Sequence, residues 1–462
     1  MEVLFLKCGK KEIEMDSSLN KKYGLITAIA MVVGIVIGSG VFFKAEKVLT
    51  ATGGNLPLGI MAWIIGGAIM VVCAYTFSIM ATRYEYINGI VDYAEVSMGK
   101  RYGYYLGWFM STTYYPTLTA ALAWVSARYT CVLFGFSIVG SEALAITGFY
   151  LVLSYALNAL SPVLAGKFQV TTAIIKLVPL FLMAVIGTIV GLASGMTVEN
   201  FTSITKQVST GNALFTAVVA TAFAYEGWII ATSINAELKN SKVNLPKALV
   251  IGTFIVVITY ILYYIGLSGA VSNKALMESG EKGAKLAFET VFSKVGGTAL
   301  LVFVVISCLG TLNGLMLGCT RGIYSLSARD MGPAPNVFKQ VDKATNMPTN
   351  SAILGLFFCG IWLLYFYGSQ LTKSWFGFFN FDITELPIIT IYAAYIPIFF
   401  ILIKKEKDLG LFKRYIAPIL AIMSCVFMII AACFSHKVEV LWYLITFVVI
   451  MIIGKLFDKS RA

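Results

Sequence analysis

Residues 24–43 read Gly24-Leu-Ile-Thr-Ala-Ile-Ala-Met-Val-Val-Gly34-Ile-Val-Ile-Gly38-Ser39-Gly40-Val-Phe-Phe43. The segment is apolar enough to lie in a bilayer, yet two glycines flank a serine in its middle. Glycine weakens a helix interior by about 1 kcal/mol relative to alanine, so Gly38-Ser39-Gly40 predicts an unwound turn. At 1.5 Å rise per residue that break falls roughly 22 Å from the inner end. A second stretch, Thr221-Ala-Phe-Ala-Tyr225-Glu226-Gly227-Trp228, interrupts another apolar run with a carboxylate and a glycine. A carboxylate there is costly unless it faces a cavity or other protein. The two breaks lie at similar depth, in runs of opposite direction.

Working outward, 58% of the 462 residues are apolar and 13% are charged. Soluble domains run about 45–50% apolar and about 25% charged. The composition excludes a soluble enzyme, a disordered chain, a collagen-like fibre and a compact nucleic-acid binder. A hydrocarbon core about 30 Å thick needs roughly 20 apolar residues per crossing. That ruler finds twelve stretches, at 24–50, 57–82, 103–134, 142–160, 166–194, 211–237, 246–271, 297–327, 348–369, 376–403, 414–433 and 438–457. The expected fold is therefore all-α, a polytopic membrane bundle of 12 transmembrane helices. The two long connections, 83–102 and 272–296, read as surface helices, the second over Lys285–Val295.

The net charge of +12 is a topology signal. With the N-terminus inside, the inner loops and tails hold 24 Lys/Arg and the outer ones 10. That asymmetry places both termini in the cytoplasm, with residues 1–23 and 458–462 as cytoplasmic tails and some attraction to anionic lipid. It gives no reason to expect nucleic acid. Eight cysteines, including Cys131, are scattered mostly through apolar runs without a CxxC pair, which reads as small buried hydrophobes. The single histidine, His436, is assigned to a short polar loop and excludes a multi-histidine metal site. No Walker-type Gly-x-x-x-x-Gly-Lys-Ser/Thr and no cluster of catalytic acids and bases is present, so neither an enzyme nor a cofactor is expected.

Two breaks five spans apart are what an inverted repeat produces, residues 24–195 against 211–403, with 414–457 as peripheral helices. Broken-helix transporters place substrate and ion sites at such points. Free N–H groups at one half-helix start and free C=O groups at another half-helix end match the carboxylate and ammonium of a zwitterion. Small-residue helix packing accounts for either break alone; the two together point to a binding site.

The paired motifs resemble the amino acid–polyamine–organocation transporters, with similarity to the L-type amino acid transporter branch and to bacterial serine/threonine or neutral amino acid exchangers. Glu237-Leu-Lys239-Asn240…Pro246-Lys-Ala248 resembles that family's end of the sixth helix. Ser307, Gly310, Asn313, Arg321, Tyr324 and Ala328-Arg329-Asp330-x-Gly332-Pro333 match another of its signatures. Ser241 stands where the family carries proline, and Asn88-Gly89-Ile-Val-Asp-Tyr93 stands where many relatives carry Gly-Gly-x-Tyr-x-Tyr.

The resemblance implies a LeuT-like 5+5 inverted repeat with broken helices 1 and 6. Amino acids would bind between the breaks at Gly38 and Gly227. Ile37, Ser39 and Gly40 would meet the carboxylate, Phe223, Ala224 and Glu226 the ammonium, with Tyr225 and Trp228 as walls or gates. Lys176, ten residues into the fifth span, either snorkels to the inner surface or, as in matching relatives, fills the space of a coupling sodium beside Ser307. Glu237, Arg83, Glu85, Arg321, Arg329 and Asp330 would pair to close an inner gate. Asp382 and Glu385, one helical turn apart in the tenth span, suit an outer gate, a proton site or a solvated helix end. No loop cysteine suggests a disulfide to a heavy chain, so no obligate partner subunit is expected. The implied function is sodium-independent exchange of neutral L-amino acids by alternating access. The alternative is proton-coupled transport of cationic amino acids or polyamines using Glu226.

Overall fold

The computed structural model describes residues 21–205, 208–371, 375–384 and 386–459. Among them eleven helices are long and apolar enough to cross a bilayer, preceded by a broken pair, Leu25–Val36 and Gly40–Ala51. Counting the pair as the first span, the others follow in order. They are Leu56–Ala81, Lys100–Phe134, Ser141–Leu160, Pro162–Ser194, Thr210–Glu237, Ser241–Ala270, Gly283–Ser327, Thr349–Ser369, Leu386–Lys405, Phe412–His436 and Val438–Lys455. No strand occurs among the described residues; Tyr23 and Leu238 form an isolated parallel bridge.

Local sequence explains the ends. Asn55 Oδ1 accepts from Leu58 N–H at 3.0 Å at the start of the second span, where Pro57 loses no hydrogen bond. Gly135, at φ 72°, ends the third span in the left-handed conformation that glycine adopts without strain. Within the third span a π-turn, Met110–Tyr114, precedes Pro116, whose missing N–H loosens the ladder there.

Burial orders the bundle. The third, sixth and eighth spans are 67%, 72% and 72% buried over their apolar windows, whereas the twelfth is 17% buried and faces outward. The first half-helix packs on the fifth, seventh and eighth spans and on the inner half of the sixth. The two breaks therefore lie in the most enclosed part of the molecule.

Several boundaries differ from expectation. The tenth helix begins at Leu386, not at 376. Gly377, at φ 57°, stands in an aromatic stretch that turns instead of coiling, and Trp375 and Phe378 are exposed. Asp382 precedes the helix, its Oδ1 accepting from Thr384 N–H at 2.6 Å; Glu385 lies outside the described residues. The helix expected over Lys285–Val295 joins the eighth span, bent at Ser293 with φ 64°. In the connection 83–102, Gly89–Met98 is helical but not a surface helix, since Gly89–Ala94 are buried. His436 ends the eleventh helix instead of lying in a loop. Cys131, as expected, is buried inside the third span.

Candidate functional site

Helical hydrogen bonding in the first span stops at Val36; Ile37 is extended, with ψ 90°, and a new helix starts at Gly40. In the sixth span the α-helix ends at Ala222 and a single tight turn covers Phe223–Tyr225. Glu226 is then extended, and Gly227 takes φ 100°, a conformation side-chain-bearing residues rarely adopt. The chain resumes as a 3-10 helix over Trp228–Glu237. The breaks touch: a Cβ at Gly40 would lie 2.8 Å from Ala224 Cα, and one at Gly227 would lie 2.7 Å from Ile35 Cγ2. Glycine at 40 lets the two backbones meet, and glycine at 227 makes room for the Ile35 side chain.

A small cavity opens between them, lined by Gly38, Ser39, Gly40, Phe223, Glu226 and Gly227, with Leu118, Leu122, Thr311 and Leu315 among the opposing wall. About 20 Å³ of it admits the centre of a water molecule, room for roughly one or two waters. Ser39 is 1% exposed and its hydroxyl has no partner among the described residues. Gly40 and Val41 begin a helix, so their N–H groups have no intrahelical acceptor. That side of the cavity is an anion pole. Opposite stands the Glu226 carboxylate, which accepts a hydrogen bond from the Tyr114 phenol.

Of the ten residues expected at this site, Ile37, Ala224, Tyr225 and Trp228 do not line the cavity. The Ile37 carbonyl is occupied by Lys176, Ser307 and Thr311. Tyr260 Oη lies 3.0 Å from both Val36 O and Ala224 O, spanning the breaks from the seventh helix. Tyr225 turns away to donate to Trp63 O at 3.0 Å. Trp228 is fully buried against Phe77 and Tyr395, at centroid distances of 6.0 and 6.1 Å.

Lys176 does not snorkel. Its ammonium donates to Gly34 O at 2.7 Å, Ile37 O at 2.5 Å and Thr311 Oγ1 at 3.1 Å. Ser307 Oγ adds a bond to Gly38 O at 3.0 Å. The carbonyls released by the broken helix are thus held by one buried cation and three hydroxyls, those of Ser307, Thr311 and Tyr260.

At the end of the bundle where the first span starts, the charged residues fall into separate groups. Glu237 and Arg321 form a buried pair, joined by Lys22 Nζ at 2.7 Å from Glu237 Oε2. The N–H groups of Lys22 and Tyr23 donate to Glu237 O at 2.9 and 3.0 Å, and Lys239 N–H to Tyr23 O at 2.9 Å. These contacts clasp the start of the first span to the end of the sixth. Burial lowers the Lys22 ammonium from its ordinary pKa, against the pull of Glu237. Arg83 does not join the clasp. It pairs with Glu406 at 2.7 Å and Asp408 at 2.6 Å, and its hydrogen bond holds the Asp408 carboxyl below the usual range. Glu85 pairs with Lys21 at 2.5 Å. Arg329 binds Asp92 and Glu95, and Asp330 meets Lys339 at 2.9 Å.

Sequence reasoning missed Tyr114, Tyr260 and Thr311. Thr311 had a signal, since it follows Ser307 by four residues and shares its helix face. Pro116 inside an apolar run hinted at the irregular turn that aims Tyr114. Tyr260 sits in an aromatic run that gives no such sign.

An apolar helical bundle with two touching backbone breaks around a small central cavity is the arrangement of broken-helix membrane transporters. The family model for amino acid permeases matches residues 23–455, and the chain belongs to that family. It is 28% identical to the serine/threonine exchanger of Bacillus subtilis over 88% of this chain and 89% of that protein. The human b(0,+)-type amino acid transporter 1 is 26% identical over 70% of this chain and 68% of its own. The aspartate–proton symporter of Bacillus subtilis is 25% identical over 76% and 68% respectively. The protein is a multi-pass membrane transporter of amino acids, and transport, not catalysis, is the activity of its relatives.

Proposed function

We propose that the protein exchanges small neutral L-amino acids without sodium, by alternating access between two inverted halves, 24–195 and 211–403. Both termini are cytoplasmic in this reading, and no partner subunit is required. The observation that carries it is Lys176. A carbonyl cage of this kind suits a monovalent cation, and here a fixed ammonium takes the three oxygens. A second positive charge about 4 Å away would be repelled by about 4 kcal/mol at an effective dielectric of 20. The substrate carboxylate goes to Ser39 and the N–H groups of Gly40 and Val41, and its ammonium to the Phe223–Glu226 side. The cavity, with leucines at 118, 122 and 315 on its wall, supports a short side chain, consistent with similarity to a serine/threonine exchanger.

A second reading rests on Glu226. A carboxylate on the cavity wall could be the counter-ion of a cationic side chain or a proton carrier. Uptake into proteoliposomes preloaded with each member of a neutral and cationic panel separates the two. Exchange confined to neutral residues, unchanged by a proton gradient, supports the first. Preference for lysine or ornithine, or gradient-driven uptake without internal substrate, supports the second, and Glu226→Gln would then abolish it.

A further inference from the structure

Beneath the central cavity lies a set of buried polar groups that the site does not use. Asn88 is 1% exposed and Asn235 is fully buried, as are Tyr93 and Tyr115. Both polar atoms of Asn235 and the Tyr93 hydroxyl lack a hydrogen-bond partner among the described residues, and the Asn88 amide and the Tyr115 hydroxyl meet no side-chain partner other than each other. Each unpaired buried group costs about 1–3 kcal/mol, and native proteins leave few of them without water or ligand.

Asn88, Tyr93 and Tyr115 come from two places in the chain and gather around Gly89, and Asn235 stands one 3-10 turn from Thr232, which touches the same group. A Cβ at Gly89 would lie 2.8 Å from Thr232 Cβ and 2.9 Å from the Tyr93 hydroxyl. Tyr115 lies with Ile230 against Gly318, where a Cβ would be 3.1 Å from its ring, and its hydroxyl faces the Asn88 amide. Thr232 and Asn235 are three residues apart on a 3-10 helix, so they share a face.

The position is telling. Gly227 lines the central cavity. At about 2 Å per residue, Thr232 is about 10 Å further inward and Glu237 about 10 Å beyond that. Above stands the Trp228–Phe77–Tyr395 aromatic cluster; below stands the Glu237–Arg321–Lys22 clasp. We propose that Asn88, Tyr93, Tyr115 and Asn235 form a hydrated compartment on the inner exit path, which receives the polar ends of the departing amino acid when the clasp opens. The use as an exit path rests on the exchanger reading. Amides and phenols offer donors to a carboxylate and acceptors to an ammonium without formal charge, so they hold a zwitterion loosely enough to release it.

Two measurements test this. Radiolytic hydroxyl labelling of the full protein in nanodiscs modifies buried side chains that touch bound water. Tyr93 and Tyr115 are expected to react at least about threefold faster than Tyr260, equally buried but bonded to Val36 and Ala224 carbonyls. Equal rates would show a dry compartment and overturn the proposal, whatever uptake shows. In exchange assays Asn88→Leu and Asn235→Leu are expected to lower turnover about tenfold while half-saturation stays within about twofold. Asn88→Ser, which keeps a polar group, should retain turnover. Unchanged turnover in the leucine variants, or equal loss in Asn88→Ser, would remove the exit role. Wild-type protein that exchanges no amino acid would sink the exchanger reading, while the labelling still decides the water.

Discussion

Arg321→Met isolates the inner clasp, because methionine keeps much of the length and packing but removes the charge. The Glu237 side chain is 0% exposed and that of Arg321 2%. Breaking a pair buried to this degree costs about 3–5 kcal/mol. Lys22 remains 2.7 Å from Glu237 Oε2, which puts the cost near the lower end, about 3 kcal/mol. The carboxylate regains water once the inner ends separate, so the cost falls on the closed state alone. At 1.4 kcal/mol per tenfold, the equilibrium moves about 150-fold toward the inward-open state. The assay is modification of a cysteine placed at Ser233 by an impermeant thiol reagent from the inner side, read site by site by mass spectrometry. Arg321→Met should accelerate it by tens of fold, and adding Glu237→Gln should slow it again because no unpaired charge remains. A folded Arg321→Met that reacts at the parental rate would refute the reasoning, as would a double variant no slower than the single.

Gly40→Ala puts a methyl 2.8 Å from Ala224 Cα and 3.2 Å from its Cβ. Carbon contacts settle at about 3.5 Å or more, so the breaks must part by about 0.7 Å. Overpacking of this kind costs about 1–3 kcal/mol, and half-saturation in uptake should rise at least about fivefold. Lys176→Met strips the ammonium from Gly34 O and Ile37 O, and exchange should fall at least about tenfold; wild-type rates would remove its role. Tyr114→Phe leaves the Glu226 carboxylate without its phenol donor, so the melting temperature in detergent should drop. Adding Glu226→Gln should recover most of that loss, since a neutral amide is cheaper to bury.

The breaks were readable because glycine and a lone carboxylate are conspicuous in a run of Val, Ile and Ala. Sequence placed Gly38, Ser39, Gly40, Glu226 and Gly227 where the cavity lies. It could not say which face of an unwound segment turns inward, so Ile37 and Ala224, whose carbonyls other helices occupy, looked equivalent to their neighbours. Trp228 looked like a gate because aromatic type carries no direction. Glu237 and Arg321 were legible as partners, and they form a buried pair, but the partners of Arg83 lie more than 300 positions away, at Glu406 and Asp408, and no local pattern links them. The tenth span started late because Phe376–Phe381 satisfies a hydropathy ruler while Gly377 bends the backbone. The eighth grew longer because a helix can continue past the bilayer edge with a bend at Ser293.

The central claim is exchange without sodium, with Lys176 standing where a coupling cation would sit. It is tested most directly by uptake of radiolabelled serine into proteoliposomes in sodium-free buffer, with and without serine inside. Strong stimulation by internal serine, with no further gain when sodium is added, is the predicted result. Uptake that requires sodium, or that ignores the internal amino acid, would contradict it.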